Sequence, residues 1–460
     1  MTDKRRQGRP FAQGDLIDAT VTSLARKGGS LAEVDGAQIR VTGGVPGDSA
    51  QLRVTHTGKH INVGKIQTLH TPSPHRVVPP CEVVDACGGC PWQAAATALQ
   101  RDHRAEEIDA LLTPFCTEET RRHGWIDPQE TPETLGYRTR ALMVLRHRGG
   151  VIRMGFYAPG TQDLVPAEPC VVQHPRVNAV LKRAHAILKK RDWPTWRSEA
   201  RPGVLRGLLY RVDPQVGDGL LTLVLSVHPG SRVREVADAL IRIEGVSGVH
   251  ANVNTRGGGP MLGDRTVHLR GKRRQTMTYG DLTLQVGPVS FVQTRHSVGA
   301  AMVRTVGQWL PERVDHLVDL YAGVGVFGLA HRARGARVTL VESHPEAAED
   351  ARRNIDRLDA EGVTILGADA ALATKEALSD GADAVIIDPP RAGCAPAVID
   401  ALVGLKGDPT LVYTSCEPRK LARDLGPLAA AGYRVTDLAL FDMFPHTPHA
   451  EVAVALRRAP

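Results

Sequence analysis

The sequence predicts a multidomain α/β chain with a small OB-like β-barrel first, an α+β middle domain next, and a doubly wound parallel sheet last. Three patterns point there. Short alternating runs broken by Gly and Pro fill residues 14–70, strand-like and helical runs mix between about 137 and 286, and strand-like and helix-like runs then alternate to the end. The 460 residues are 42% hydrophobic and 23% charged, a globular composition that excludes collagen-like and mainly disordered chains and suits roughly two to four domains. Lys and Arg outnumber Asp and Glu by 57 to 50, a net +7 that permits a polyanionic partner without requiring one. No uninterrupted apolar run approaches the ~20 residues that span a bilayer. Met1–Arg6 leads into polar residues, not the apolar stretch of a secretory signal. A cytoplasmic protein with no membrane partner is expected. Seven cysteines, an odd number and few for this length, argue against a secreted disulfide framework.

Residues 1–10 carry four basic side chains and one acid without periodicity, and read as a disordered basic arm. Over 11–70, runs such as Asp15–Thr22, Gln38–Thr42 and Ala50–Thr57 alternate with period two between Gly28-Gly29, Gly43-Gly44 and Pro46-Gly47. Five short strands in about sixty residues suit an antiparallel OB-like barrel, a frequent oligonucleotide platform. Thr71-Pro72-Ser73-Pro74 and Pro79-Pro80 link it to a loop crowded with Cys81, Cys87 and Cys90. A helix is expected from Gln93 to Leu112, and residues 93–124 are expected to pack against the C-terminal domain. Residues 71–92 and 125–285 form the middle domain, with strands at Val151–Tyr157 and Leu220–Val227 and a helix near Val177–Lys190.

From 286 to 460 the pattern is βα repeated. Strands are expected at His316–Tyr321, Arg337–Glu342, Val363–Gly367, Ala384–Asp388 and Thr410–Ser415, with helices at Val326–Arg334, Pro345–Leu358, Pro396–Leu405 and Pro418–Ala431. Such alternation makes a parallel, Rossmann-like sheet covered by helices. Arg434–Phe441 and Glu451–Arg457 have no helix between them and read as an antiparallel hairpin.

Ligands of such sheets bind beyond the carboxyl ends of the strands. Asp319-Leu320-Tyr321-Ala322-Gly323-Val324-Gly325 closes the first strand there, and Glu342 ends the second, where an acid accepts ribose hydroxyls. The run Gly323–Gly328 also fits G-x-G-x-x-G, but a carboxylate at Asp319 would repel a pyrophosphate and instead suits the amino-acid end of S-adenosylmethionine (AdoMet). Asp388-Pro389-Pro390-Arg391 and Ser415-Cys416-Glu417-Pro418 end the next two strands on the same rim. A helix N-terminus behind Cys416 would favour its thiolate.

At these residues the chain resembles the TRAM-domain, iron–sulfur-containing RNA uracil-5-methyltransferases. The resemblance runs through Ala25–Gly29 and Val45–Asp48 in the barrel, the cysteine loop, and Ser290-Phe291-Val292-Gln293, Asp319–Gly325, Glu342, Asp388–Gly393, Tyr413–Cys416 and Asp442–Glu451 in series. It implies a class I methyltransferase domain over 286–460, with Gln293, Tyr321, Gly323, Gly325, Glu342, Asp369 and Asp388 at AdoMet. It further implies Cys416 as nucleophile and Glu451 as base. Cys81, Cys87, Cys90 and, distant in sequence, Cys170 would hold a [4Fe–4S] cluster; four thiolates can also hold zinc, but Cys81-x5-Cys87-x2-Cys90 departs from paired zinc-ribbon spacing.

The implied reaction transfers a methyl group to carbon 5 of a uridine in ribosomal or transfer RNA through a covalent cysteine–uracil adduct, by a protein expected to be a monomer. The basic arm and barrel lean toward ribosomal RNA. Glu417, Arg295, Ala322 and Val326 depart from the family's usual residues. They keep open a second reading, an RNA-binding or ribosome-assembly protein of altered specificity on the same fold. Within enzymes the runner-up is a nitrogen methyltransferase, since Asp-Pro-Pro resembles an acidic-Pro-Pro acceptor motif, although Cys416 and Glu451 argue against it. Lys182–Arg206, with eight Lys/Arg, two acids, Trp193 and Trp196, and Arg270–Arg274 are each either an RNA track or a solvated face. His446 and His449 are candidates to orient Glu451 or touch RNA, and His174 is read as a surface or core histidine.

Overall fold

Alternation of apolar and polar residues closes the N-terminal strands into a barrel: β1 (Leu16–Leu24), β2 (Ser30–Val34), β3 (Ala37–Thr42), β4 (Ser49–Thr57) and β5 (Asn62–Thr71), in the order β1-β2-β3-β5-β4. The inward residues Val21, Ala32, Ile39, Val41, Leu52 and Val54 form its core. One pairing, β3 with β5, is parallel; the others are antiparallel. The structure is a computed structural model that describes residues 10–59, 61–127, 133–191, 193–196, 203–256 and 260–458, so nearly all of the expected basic arm lies outside the described residues.

The chain forms two compact units, one of residues 1–107, 155–171 and 444–449, the other of 108–154, 172–443 and 450–460. In the first unit a small cluster of Leu24, Val45, Trp92, Ala94 and Ala95 sits beside the barrel, and the Trp92 indole donates to the Gly29 carbonyl at 2.9 Å. The expected helix begins at Thr97 and ends at Leu112 (α1). A 3₁₀ turn and a strand, β6 (Cys116–Trp125), follow it. Sequence periodicity missed β6, which is polar and largely exposed because it lies at a sheet edge.

The middle region carries β7 (Arg140–Arg148) and β8 (Val151–Tyr157), whose end, with a short β9 (Leu164–Pro166) paired to it, belongs to the first unit, and in the second unit α2 (Pro175–Lys189), β10 (Leu205–Val212), β11 (Gly219–Leu225), α3 (Ser231–Leu240), β12 (Val246–Val253) and β13 (Arg265–Gly271). The sheet runs β13-β12-β11-β10-β7-β8. It departs from the expected all-antiparallel pattern at β11 and β12, which pair parallel because α3 returns the chain between them. A hairpin, β14 (Gln275–Tyr279) and β15 (Leu282–Val286), and α4 (His296–Trp309) lead onward.

The C-terminal repeat is β16 (Val314–Leu320), α5 (Val326–Ala330), β17 (Gly335–Val341), α6 (Pro345–Arg357), β18 (Val363–Leu366), α7 (Ala370–Ala377), β19 (Ala384–Ile387), α8 (Pro396–Val403), β20 (Thr410–Ser415), α9 (Pro418–Ala430), β21 (Tyr433–Phe441) and β22 (Glu451–Arg458). The sheet order is β18-β17-β16-β19-β20-β22-β21-β6. The first five strands are parallel, as the βα alternation requires. The last strand is not an edge: β22 enters between β20 and β21, antiparallel to both. Among the described residues no helix is long and apolar enough to cross a membrane.

Candidate active site

Parallel register levels the strand ends. Asp319 pairs with Leu340 and Ile386, the Ala322 amide donates to the Val341 carbonyl, and the Glu342 amide to that of Leu366. The β16 turn then bends sharply, with Tyr321, Gly323 and Gly325 all in the left-handed region at φ +63°, +58° and +89°. The two glycines serve different ends. A Cβ on Gly323 would meet nothing within 4 Å, so that backbone faces open space; one on Gly325 would lie 2.7 Å from Leu329 Cδ1, so that backbone is packed. Glu342 braces the turn, its carboxylate accepting from Gly323 N at 2.9 Å and His344 N at 2.6 Å.

Asp319 corrects one expectation. It is fully buried, and its Oδ2 accepts from Gly328 N at 2.7 Å, so the carboxylate ties the strand to α5 instead of facing a ligand. Burial, and then the charges of Asp388 and Glu342, push its pKa up to about 8 despite that hydrogen bond. Asp369 is exposed and N-caps α7, accepting from Ala371 N at 2.8 Å. Gln293 is half-buried ahead of α4, and Tyr321 is half-buried with its phenol pushed up by burial and by Cys394. Arg295, where an Asn is usual, is buried and donates to the Asp442 carbonyl at 2.6 Å.

The antiparallel insertion of β22 assembles the rest. Ser415 pairs with Val452, so the next residue along β20, Cys416, comes opposite Glu451 at the start of β22. Cys416 is half-buried, while Glu451 is 2% exposed. Asp388, at the end of β19, accepts from the Thr414 hydroxyl at 2.6 Å; burial raises it to about 6 and that hydrogen bond opposes the rise. Burial lifts Glu451 well above the carboxylate range, Asp388 adds to this, and Arg391 opposes it.

The expectation of a favoured thiolate at Cys416 is overturned. Burial, then Glu451, pushes the thiol up to about 12, and Asp388 adds to the rise. Arg391, whose side chain hydrogen-bonds the sulfur, is the group pulling the other way. In the sequence Arg391 shows only as the end of Asp388-Pro389-Pro390-Arg391, and its place three residues after Asp388 in the same rim loop is the available signal.

His446 and His449 fall in the first unit, where the His446 amide donates to Gln100 Oε1 at 2.8 Å and Arg104 donates to the His449 carbonyl at 3.0 Å. Cys81, Cys87, Cys90 and Cys170 share that unit and are all half-buried. Burial, with the charge of Cys81 a lesser cause, raises the Cys87 thiol. Among the described residues, however, no three His, Cys, Asp or Glu side chains converge as metal ligands would. The loop is held by protein contacts, with Cys81 N donating to Gln93 Oε1 at 3.1 Å and Gly88 packed on Pro159. A site for [4Fe–4S] or zinc at these thiols is thus not shown among the described residues. Trp193 and Trp196 are buried under Arg232 and Arg206, and so are core rings, not stacking platforms. Cys394 is buried as a filler beside Tyr413, 3.5 Å from its hydroxyl.

Comparison with known proteins agrees with this architecture. The model of the tRNA (uracil-5-)-methyltransferase family matches residues 275–459. An "Uncharacterized RNA methyltransferase" of Thermosynechococcus vestitus is 32% identical across 97% of this chain and 99% of its own. Another, of Gloeobacter violaceus, is 31% identical across 98% and 100%. The crystal structure of Pyrococcus abyssi tRNA (uracil-54, C5)-methyltransferase in complex with S-adenosyl-L-homocysteine shares the fold, with a TM-score of 0.75 at 24% identity over 96% of this chain and 100% of that one. Matched end to end by RNA methyltransferases, the chain belongs to the RNA methyltransferase family, and the tRNA (uracil-5-)-methyltransferase model matches the part whose sheet carries Cys416 and Glu451.

Proposed function

We propose that the protein transfers a methyl group from AdoMet to carbon 5 of a uridine in ribosomal or transfer RNA, through a covalent bond between Cys416 and the ring. The observation that carries this reading is the meeting of Cys416 and Glu451 across the β20–β22 ladder, with Asp388 and Arg391 beside them. A packing cysteine needs neither a buried carboxylate opposite it nor a guanidinium on its sulfur.

The rim fits AdoMet. The open space at Gly323, the turn through Tyr321 and Gly325, and the acids Glu342 and Asp369 at successive strand ends supply a cradle and acceptors, with Asp388 at the next strand end and Gln293 as a further contact that the family resemblance implies. AdoMet supplies an electrophilic methyl group when bound. Carbon 5 of uracil is too weak a nucleophile to take it unaided. Cys416 gives its proton to water as sulfur bonds carbon 6, and the displaced electron pair moves onto the O4 enolate. The pair returns through carbon 5, which takes the methyl group and leaves S-adenosylhomocysteine. Glu451 removes the carbon 5 proton, the double bond reforms, and the Cys416 thiolate is expelled. A thiol this hard to ionise must part with its proton as it adds, and Arg391 favours that ionisation. The cysteines of the first unit enter no step.

The P. abyssi neighbour acts on transfer RNA, so that substrate stands beside ribosomal RNA in the test. Incubation of transcribed ribosomal and transfer RNAs with labelled AdoMet, followed by nucleoside analysis, is expected to yield 5-methyluridine in one of them. Label on a ring or exocyclic nitrogen, or no label in any RNA, would refute the reading.

A further inference from the structure

We propose that a cationic groove between the β13–β14 connection and α6 grips the phosphodiester backbone of the RNA substrate at a distance from the target uridine. This rests on the RNA-methylating reading above. The groove encloses about 710 Å³ and is lined by Lys272, Arg273, Arg274, Arg353 and Arg357 against one acid, Asp356.

Its walls are built from buried polar groups. Asp350, 1% exposed, accepts from Arg274 Nε at 2.5 Å, Gly287 N at 2.6 Å and the Ser290 hydroxyl at 2.6 Å. Asn354, fully buried, accepts from Gln285 N at 2.7 Å and donates to the Gln285 carbonyl at 3.1 Å. The β14–β15 hairpin is thereby clamped onto α6, and the cations above it are held in a fixed relation.

Those cations divide into two sets. Arg274 is paired with Asp350, Arg353 with Glu349 at 2.9 Å, and Lys272 with Asp218 at 3.3 Å. Arg273 and Arg357 are exposed, and among the described residues neither has a carboxylate partner. Two uncommitted guanidiniums on one groove match phosphate oxygens, which accept paired N–H donors from each. A long polyanion suits a groove; a lone small anion would not need its length.

Position separates this grip from the chemistry. Glu342 precedes the first turn of α6 and Arg357 lies in its last, so thirteen residues at ~1.5 Å each put them roughly 20 Å apart, and Cys416 follows a strand three places across the sheet from the one Glu342 ends. The groove therefore holds RNA several nucleotides from the flipped base.

The test compares wild type, Arg273→Gln/Arg357→Gln, and Arg234→Gln on the exposed face of α3 as a charge-loss control. Binding to the RNA that wild type methylates is measured across a salt series, with thermal melting as the check on folding. The expected result is a salt slope shallower by about 1.5 in the double variant, from roughly 0.7–0.9 per lost phosphate contact, and roughly tenfold weaker binding near 0.1 M salt. The control should lose neither, and a loop fragment too short to reach ~20 Å from the target should bind both proteins alike. If wild type methylates RNA while the double variant keeps the wild-type slope, the groove is not a phosphate site. An equal loss in the control or on the short fragment overturns it too. If wild type methylates no RNA, the functional reading fails first and the groove proposal falls with it.

Discussion

Cys416 and Glu451 face one another across two hydrogen-bonded strands, one residue beyond the Ser415–Val452 pair. The carboxylate is therefore set against the sulfur by backbone register, and replacement of either side chain leaves the other in place. Cys416→Ala is expected to abolish methyl transfer and to form no denaturation-resistant complex with RNA containing 5-fluorouridine, which wild type should trap because fluorine cannot leave as a proton. A stable complex formed by the Ala variant on a denaturing gel would remove Cys416 from its role.

Glu451→Gln keeps the shape and removes the base. Turnover should slow by roughly 10²–10⁴-fold, with a methylated adduct now accumulating on RNA that lacks 5-fluorouridine because release has lost its proton acceptor. The same change removes a charge that raises the Cys416 thiol. Alkylation of that thiol should then set in at lower pH than in wild type. An alkylation profile unmoved by the substitution would mean that the two groups do not interact.

Asp319 makes stability depend on pH with a definite sign. Its carboxyl ionises near 3.8 when free and at about 8 in the fold. Between those values the native state holds a proton that the unfolded chain has released, so this group's contribution is complete below about pH 4 and declines as pH rises to 8. Asp319→Asn removes the titration and keeps an oxygen for Gly328. On going from about pH 5 to pH 9, the melting temperature of the variant relative to wild type should rise. A difference that stays constant with pH would show that Asp319 ionises normally.

The two turn glycines should part company. Gly325→Ala puts a methyl group 2.7 Å from Leu329 at φ +89°, and a loss of about 1–3 kcal/mol in folding stability is expected. Gly323→Ala meets no atom and bears only the left-handed strain of ~1 kcal/mol. It should melt near wild type while AdoMet affinity, measured by calorimetry, falls as the methyl group enters the open cradle. Equal melting losses in both would contradict this division.

Much of this was legible in the chain. Period-two runs located the barrel, and βα alternation placed Tyr321, Glu342, Asp388 and Cys416 at strand ends, because one hydrophobic periodicity fixes both the element and the rim where it stops. Three things were not. β6 is a polar edge strand with no inward face to betray it, and α7 is a helix of eight residues, capped by Asp369, too short to show a periodicity. The place of β22 between β20 and β21 is a matter of pairing, which local pattern does not encode. The ionisation of Cys416 was misjudged for a related reason: a helix terminus can be read from sequence, but a carboxylate delivered by a later strand cannot.

The interior position of β22 also separates two jobs: pairing with β20 and β21 sets the spacing of sulfur and carboxylate, while the preceding connection is anchored by its own bonds, among them His446 N to Gln100 Oε1. A side-chain change in that connection leaves the register as it is. A deletion of one residue inside β20 or β22, by contrast, turns the acid to the opposite face of the sheet and ends the chemistry at a stroke.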